Sequence, residues 1–516
     1  MNAKLLLSVG VLVLLAVVLG LLAFKSKDSG GNGGRASDEP AAAEAGGSEE
    51  PDAEAEGEGA RAGSEEFEEE TQETLERIEA FHQAKAAGTF GRVAATTIPT
   101  AGWVGSMVLN ESTDDWEPAV ATDPSAPYVY LLTTRYGVDA PGCPNQCPQP
   151  FLALTRSTNG GSTWSSQRAL CICQGAKGQF DPTIEVVPNT GVVYSAFLLG
   201  DRHNGFSTVF SKSTNHGQTW TDPVHVYGNV SWTDKPEITM NASGKDVYVS
   251  WNGPQGGDLY VGQSHDYGAT WTQQKLSDDK RYYYAYDARV LPGGTVVFSE
   301  SSVVYAGLKN VAGGSEIWHH AVISRDKGAT WENVVVAKVA NGEACVADGC
   351  GPDFYTGQTS VVSDASGHLV FAYEGATVDR GPQRIYVARS SDSGRTWTAG
   401  TPLSVNGENA TGPRLASSGG GNVRMWYMQT SGSDNPDAWN VLYRTSSNGG
   451  ATWSAPVKLN DAPGGAAAYV NNDGSFQEIY GDYGEIAITS AGKTIATWGE
   501  GLSWTGPGGT WFNIER

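Results

Sequence analysis

The chain has 516 residues, enough for one large β domain or for two to four ordinary domains. It contains 66 glycines, 16 tryptophans and 21 tyrosines but only 18% charged residues, which favours many short strands joined by tight turns. The formal net charge is −23, and residues 37–80 contribute most of it, with 17 acidic residues against two arginines. Nucleic-acid binding needs a basic patch, so this class of function is excluded.

The chain begins with an apolar run, Leu5–Phe24, which follows Lys4 and precedes Lys25 and Lys27. A helix of this length spans a bilayer core of about 30 Å. We therefore predict a transmembrane signal-anchor over residues 1–25, which is the only part of the chain expected to contact a membrane. A cleaved secretory signal is the alternative, but such a signal has a shorter apolar region and a small-residue cleavage site.

Two further segments separate the anchor from the folded part. Residues 26–63 are rich in Gly, Ala, Glu and Ser and nearly lack apolar side chains, so we predict a disordered acidic linker. Residues 64–88 carry Phe67, Ile78 and Phe81 at helical spacing on a very acidic background. We expect one short acidic helix there, which packs on the propeller or pairs with a copy of itself. A solvated, partly helical stalk is the alternative.

The six cysteines form three close pairs in Gly- and Pro-rich loops: Cys143 and Cys147, Cys171 and Cys173, Cys345 and Cys350. An even number of cysteines in the loops of an exported chain predicts disulfides. Because Cys-x-Cys does not easily bridge to itself, we expect the second pair to bond to the first pair. The third pair could close a small local loop. A zinc site made by the first four cysteines is the alternative, although their spacing matches no common zinc pattern.

An eight-residue pattern, Ser-x-Asp/Asn-x-Gly-x-Thr-Trp, occurs six times and is called the box below. The copies are STNGGSTW from Ser157, STNHGQTW from Ser213, SHDYGATW from Ser264, SRDKGATW from Ser324, SSDSGRTW from Ser390 and SSNGGATW from Ser446. The Asx side chain can accept backbone N–H groups inside a turn, and Gly supplies a positive φ. We therefore predict a structural hairpin whose Trp ring is buried between sheets.

The box resembles the Asp box of the sialidase family and related β-propellers. In that family it joins the third and fourth strands of a blade, on the face away from the active site. The resemblance covers roughly residues 106–516 and implies an all-β propeller of four-stranded antiparallel blades, which we place at residues 100–516.

The number of blades follows from the ends of this region. Six boxes indicate at least six blades, and three further strands follow the last box, near Glu485, Lys493 and Gly509. The segment Gly105–Asn110 is similar to the fourth strand of the sixth blade, so it could complete a seventh blade and remove a sheet edge. We predict seven blades in preference to the six of true sialidases.

The first strand of each blade should line the central channel. Aligning the blades places charged and polar residues near its mouth: Glu117, Asp181, Lys235, Asp287, Gln358 and Tyr483, followed two residues later by Glu237, Arg289, Arg414 and Glu485. A binding site and a water-filled channel explain such a ring equally well. Aromatic residues in the neighbouring loops could stack on sugars or pack the blade edges: Arg281–Tyr286, Trp232, Trp439 and Trp504.

The resemblance to sialidases also implies site residues. Tyr483 matches the family's nucleophile, with Glu485 as its partner and Asp181 as a candidate acid/base. Arg414 and Arg289 could be two of the three arginines that hold the sialate carboxylate. The family's Arg-Ile-Pro motif, however, is Trp116-Glu117-Pro118 here, so its arginine is missing, and the ring also holds Glu237.

Two functions remain open at this point. The first is recognition of a glycan, or of a cell-surface or periplasmic protein, at the channel mouth without conventional sialidase activity. The alternative is an exo-acting glycoside hydrolase in which Tyr483, Glu485 and Asp181 react. In both cases we expect no cofactor and no metal, and a propeller outside the cytoplasm.

Overall fold

The computed structural model describes most of the chain from residue 100 onward. The described residues are 83, 86–87, 100–110, 113–200, 205–227, 233–253, 257–277, 281–304, 316–342, 357–364, 367–379, 381–430, 438–460, 466–467, 469–470, 476–478, 484–501 and 508–516. The predicted anchor, the linker and nearly all of the acidic helix lie outside them and stay predictions. Among the described residues, no helix is long and apolar enough to cross a membrane.

Each of the seven blades begins with an inner strand, which lines the central channel. The inner strands are Asp114–Thr122, Gly178–Val187, Asp234–Met240, Arg281–Val290, Thr359–Ser363, Ala410–Gly419 and Glu485–Ile488. The second strands are Val129–Tyr136, Val192–Gly200, Val247–Asn252, Val296–Val304, Leu369–Gly375, Asn422–Thr430 and Thr494–Gly501. Each second strand pairs antiparallel with the inner strand before it.

The outer half of each blade has the same order. The third strands are Phe151–Ser157, Phe206–Ser213, Leu259–Ser264, Glu316–Ser324, Arg384–Ser390, Ala438–Ser446 and Gly508–Ile514. The fourth strands of the first six blades are Arg168–Ala169, Val224–His225, Thr272–Lys275, Glu332–Ala340, Thr401–Pro402 and Val457–Lys458. Three short strands between blades six and seven complete the set: Ala466–Ala467, Tyr469–Val470 and Phe476–Glu478.

Blade seven takes its fourth strand from the N-terminal side of the propeller. Met107–Val108 pairs antiparallel with the third strand of this blade, with Met107 opposite Phe512 and Val108 opposite Trp511. The amide of Leu109 also donates to the carbonyl of Thr510 at 2.8 Å. The predicted seven-bladed, four-stranded propeller and its closure by this segment are therefore confirmed.

The six boxes form the turns between the third and fourth strands of blades one to six. In every box the first Ser accepts the N–H of the fifth residue, a Gly, at 2.6–2.9 Å. The third residue, Asn or Asp, accepts the N–H of the Thr at 2.8–2.9 Å. The turn that follows each inner strand lies beside the box, as the bond from the N–H of His216 to the carbonyl of Gly191 shows. We call this end of the propeller the box side and the opposite end the loop side.

The fourth and fifth positions of every box both have positive φ. The fourth residues are Gly160, His216, Tyr267, Lys327, Ser393 and Gly449, with φ between 56° and 69°. A Cβ on the glycine at position five would meet the preceding blade; on Gly268 it would lie 2.2 Å from Phe210. The box thus forms a tight turn and also packs against the preceding blade. Its Trp rings are half-buried at the blade interfaces, less deeply than predicted.

The predicted disulfide pairing is wrong for the first four cysteines. Cys143 is bonded to Cys147, and Cys171 is bonded to Cys173. The bridge across Cys-x-Cys can form because the chain brings the two Cα atoms to 5.2 Å from each other, a usual disulfide separation. All four sulfur atoms are bonded in pairs, so these cysteines do not form the alternative zinc site. Cys345 and Cys350 lie outside the described residues.

Candidate functional site

The inner strands carry a bulge where they enter the channel from the loop side. The strand register shifts there in blades one, two, three, four and six. In four of these blades, the bulge is a residue with positive φ followed by Pro: Glu117–Pro118, Asp181–Pro182, Lys235–Pro236 and Gly412–Pro413. A bulge redirects a side chain and sharpens the local twist. Here it directs side chains towards the neighbouring blade.

The bulges of blades one to three are joined in series. The carboxylate of Glu117 accepts the N–H of Asp181 at 2.7 Å, and the hydroxyl of Thr134 donates to the same oxygen. The carboxylate of Asp181 in turn accepts the N–H of Lys235 at 3.2 Å. All three bulge residues are at most 4% exposed. This part of the predicted mouth therefore consists of buried bonds between blades.

A similar connection joins blades four and five. One carboxylate oxygen of Asp287 accepts the hydroxyl of Ser360 at 2.5 Å and the N–H of Val361 at 3.1 Å. Its other oxygen lies 2.6 Å from the guanidinium of Arg289, on its own strand. Asp287 thus links an inter-blade contact to the charges inside the channel.

Arg414 joins blades five, six and seven. Its Nε donates to the carbonyl of Gly484 at 2.5 Å, and its Nη2 donates to the side chain of Gln358 at 2.8 Å. Nη1 donates to the carbonyl of Pro413 at 3.0 Å, and the residue is 2% exposed. Every nitrogen of this predicted clamp arginine therefore donates to the protein.

Further along the channel, a second group of charges surrounds Arg289. Its guanidinium lies 3.7 Å from Glu185 of blade two, and Glu237 of blade three and Glu485 of blade seven belong to the same electrostatic cluster. We call Glu185, Glu237, Asp287, Arg289 and Glu485 the channel cluster. Four carboxyl groups therefore share one guanidinium, which makes the cluster acidic when it is fully ionised.

Burial and mutual repulsion raise the pKa of the glutamates in this cluster. Burial raises the pKa of Glu185 to about 7 although 33% of its side chain remains exposed to the channel, and Arg289 limits the rise. Burial, with repulsion from Asp287, raises the pKa of Glu485 to about 8. The pKa of Glu237 lies well above its usual value for the same two reasons. Glu185 and Glu485 thus change their charge near neutral pH.

The structure thus divides the predicted site residues into two groups. Glu117, Asp181 and Arg414 lie in the inter-blade bonds of the mouth, whereas Glu237, Arg289 and Glu485 lie in the channel cluster. Tyr483 lies outside the described residues, so its predicted role as nucleophile stays a prediction.

Two features were not predicted from the sequence. Glu185 was missed, although it lies four residues after Asp181 in the same inner strand, where period-two alternation could have found it. The bulges are the second feature. They could have been predicted from the X-Pro pair that recurs near the start of four inner strands.

The sequence predicts a loop for the aromatic run Arg281–Tyr286, and this prediction is wrong. The run forms the first half of an inner strand. Tyr282, Tyr284 and Tyr286 are 3–8% exposed and form a packed ladder, with ring centroids 4.9 and 6.3 Å apart. Aromatic side chains favour strands, which explains why the strand begins at Arg281. Trp232 and Trp504 lie outside the described residues.

The carboxyl group of Glu300 is buried away from the channel, between blades three and four. The Glu300 side chain accepts the hydroxyl of Ser250 at 2.6 Å, and the residue is fully buried. Burial raises the pKa of Glu300 to about 8. Within the described part of the chain, no group of three or more His, Cys, Asp or Glu side chains could hold a metal ion.

Comparison with solved structures gives distant matches. A protein of unknown function from Dyadobacter fermentans is 15% identical, covering 80% of this chain and 99% of its own, with a TM-score of 0.43. A family PL25 ulvan lyase bound to -[GlcA(1-4)Rha3S]- is 13% identical over 80% and 95%, with a TM-score of 0.47. The NanB sialidase of Streptococcus pneumoniae is 11% identical over 84% and 72%, with a TM-score of 0.42.

Sialidases are thus among the similar structures, as the resemblance of the box predicts. Similarity at this level does not identify the activity or the ligand of this chain. Neither a protein-family model nor a curated protein matches the sequence.

Proposed function

We propose that this chain is a membrane-anchored propeller outside the cytoplasm that recognises a glycan or a protein partner at its loop-side mouth, without conventional sialidase activity. The observation that carries the proposal is the burial of Asp181 and Arg414, which are 3% and 2% exposed. Both residues bind neighbouring blades through the bonds described above.

The chemistry of sialate cleavage supports this choice. An acid/base must come within hydrogen-bond reach of the leaving group, and the Asp181 carboxylate is buried against the N–H of Lys235. A clamp arginine needs free N–H donors in a planar fork, and Arg414 uses all three of its nitrogen atoms within the protein. With Trp116 in place of the family's first arginine and Arg414 bonded between blades, Arg289 alone remains of the three arginines that would fix a sialate carboxylate.

A location outside the cytoplasm is supported by the two disulfides, since such bonds persist in oxidising compartments. The apolar run Leu5–Phe24 would provide the anchor, and the acidic linker would place the propeller at a distance from the membrane. The periplasm and the cell surface fit equally well.

One observation favours the alternative, an exo-acting glycoside hydrolase. The raised pKa of Glu485, about 8, would keep this carboxyl group protonated at neutral pH, as a general acid requires. Glu485 lies two residues after Tyr483, the candidate nucleophile.

A turnover assay decides between the two functions. The full-length chain is incubated with aryl glycosides, including sialosides, and compared with the Tyr483→Phe and Glu485→Gln variants. We expect no turnover by any of the three proteins. Turnover by the wild type that Tyr483→Phe abolishes would replace the binding proposal with the hydrolase.

A glycan array and a pull-down from cell-surface extract test binding. Trp232→Ala and Trp439→Ala alter aromatic residues that the sequence predicts near the channel mouth, whereas Tyr267→Ala alters an aromatic side chain on the box side that is 48% exposed. We expect the first two variants to lose binding and the third to keep it. Equal loss in all three would place recognition elsewhere.

A further inference from the structure

Charged residues near the loop-side end of the channel are buried, whereas those nearer the box-side end are partly exposed. Asp181, Lys235 and Asp287 are 2–4% exposed near the loop side. Further along, the side chains of Arg289 and Glu185 are 26% and 33% exposed. A ligand would therefore reach the channel cluster from the box side, opposite the proposed mouth.

The channel encloses a cavity of about 370 Å³, within the range of small-molecule sites. Its wall combines the carboxyl groups of Glu185, Glu237 and Glu485 with apolar side chains such as Ala119, Val186 and Ile486. Carboxylates beside apolar surface suit a ligand that has both a cationic group and methylene groups.

Two carboxyl groups of the cluster lack partners from other blades. Arg289 contacts Asp287 at 2.6 Å and Glu185 at 3.7 Å. The Glu485 side chain accepts only the N–H of Ile486, at 3.1 Å on its own strand, and among the described residues no donor bonds to Glu237. Glu237 and Glu485 therefore retain acceptor capacity that faces the cavity.

Thr239 supplies an independent indication of a ligand. It is 3% exposed, lines the same cavity, and bonds through its hydroxyl to none of the described residues. It lies two residues after Glu237 and so shares the channel-facing side of the strand. A buried hydroxyl normally finds a partner, and here the cavity is the space in which one would lie.

We propose that the box-side end of the channel binds the primary ammonium group of a small alkylamine. An ammonium group has three N–H donors and no acceptor, which matches Glu237, Glu485 and the Thr239 hydroxyl. It also supplies positive charge where four carboxyl groups share Arg289. The remaining charged groups that line the cavity, Arg414 and Lys235, lie at its loop-side end.

Binding should release protons. Burial and mutual repulsion raise the pKa of Glu185, Glu237 and Glu485, which favours their protonated forms. An ammonium group favours the carboxylates, so carboxyl protons pass to the solvent as the amine enters. Affinity should therefore rise with pH, by up to about tenfold per pH unit for each proton released.

Isothermal titration of the full-length chain with 1,4-diaminobutane at pH 6 and pH 8 tests the site, with 1,4-butanediol as the uncharged control of equal length. We expect the diamine to bind at least about tenfold more tightly at pH 8, and the diol not to bind. Binding of the diol, absence of diamine binding or an affinity independent of pH would each overturn the proposal.

Variants assign the site. Glu237→Gln should weaken diamine binding at pH 8 by at least about tenfold, since a charge-assisted bond is lost. Thr239→Val should weaken it several-fold and keeps the test decisive if Glu237→Gln does not fold. Glu300→Gln, another buried carboxyl group with a raised pKa but outside the cavity, is the matched control and should bind as the wild type does. Wild-type affinity in both channel variants would rule out this site, whatever the glycoside assay shows.

Discussion

The carboxylate of Glu117 accepts the backbone N–H of Asp181 at 2.7 Å and so joins the inner strands of blades one and two. Both residues are buried, and both have positive φ. In Glu117→Ala, the N–H of Asp181 would remain buried without its acceptor. We expect the free energy of unfolding to fall by about 1–3 kcal/mol. Chemical denaturation measures the loss, and Glu117→Gln, which keeps an acceptor oxygen, should lose less. Equal loss in the two variants would contradict this role.

The box turns contain non-glycine residues in a left-handed conformation, and this strain can be relieved. Tyr267 has a φ of 64° and is 48% exposed. We expect Tyr267→Gly to raise the free energy of unfolding by about 0.5–1 kcal/mol, because glycine adopts this conformation without steric cost. Gly268→Ala should instead lower it by more than about 1 kcal/mol, because φ is +76° and the new Cβ would lie 2.2 Å from Phe210. Thermal melting of both variants checks the pair, and a destabilised Tyr267→Gly would refute the strain argument.

Arg414 is expected to stabilise the ring instead of gripping a ligand. Arg414→Lys keeps the charge but cannot reach Gly484, Pro413 and Gln358 together. We expect the free energy of unfolding to fall by about 1.5–3 kcal/mol. If melting is unchanged while glycan binding is lost, Arg414 is a ligand residue.

Glu300 should make stability depend on pH. Its pKa is about 8 in the folded protein, against an ordinary value of 4.5. Between these values, the folded state holds a proton that the unfolded state has lost, so stability falls as the pH rises from about 4.5 to about 8 and then levels off. We expect Glu300→Gln to show a smaller decrease in melting temperature between pH 5 and pH 8 than the wild type. Glu332→Gln, on the exposed outer strand of blade four, is the control, and parallel pH profiles for all three proteins would disprove the prediction.

Closure of the ring should be essential for folding. Deletion of residues 102–110 removes Met107–Val108 and also Trp103, which is 3% exposed and packs edge-on against Tyr443 at 5.0 Å. We expect the deletion to abolish the cooperative unfolding transition. Deletion of the acidic linker, residues 26–63, should leave the transition unchanged. A deletion of 102–110 that still melts cooperatively would show that blade seven does not need its fourth strand.

The blades could be predicted because the box repeats. Its Ser, Asx, Gly and Thr form hydrogen bonds with one another within eight residues. A single copy therefore predicts its own turn, and six copies predict a propeller. The closing strand was found by the same reasoning, because Gly105–Asn110 repeats the strand that follows a box.

The chemistry of the channel mouth could be predicted only in part. Aligning the blades identified which charged residues lie on the inner strands, but their hydrogen-bond partners are 54 and 64 residues away for Asp181 and Glu117. No local sequence pattern indicates such contacts. From the sequence alone, charged residues that bond between blades therefore cannot be distinguished from charged residues that bind a ligand. The Cys171–Cys173 bond was missed because the spacing of the two cysteines does not reveal that the backbone brings their Cα atoms to 5.2 Å from each other.

The strand that closes the ring is also where mechanical load would enter the propeller. Tension transmitted along the chain from its N-terminal side acts on the segment 100–110, which contains Met107–Val108, the outermost strand of blade seven. Ahead of that strand, the N–H of Val104 donates to the carbonyl of Ile514 at 2.9 Å, and the amide of Arg516 donates to the carbonyl of Gly102 at 2.7 Å. Both ends of the propeller therefore meet at blade seven, and a pulling force would act on this blade before the other six.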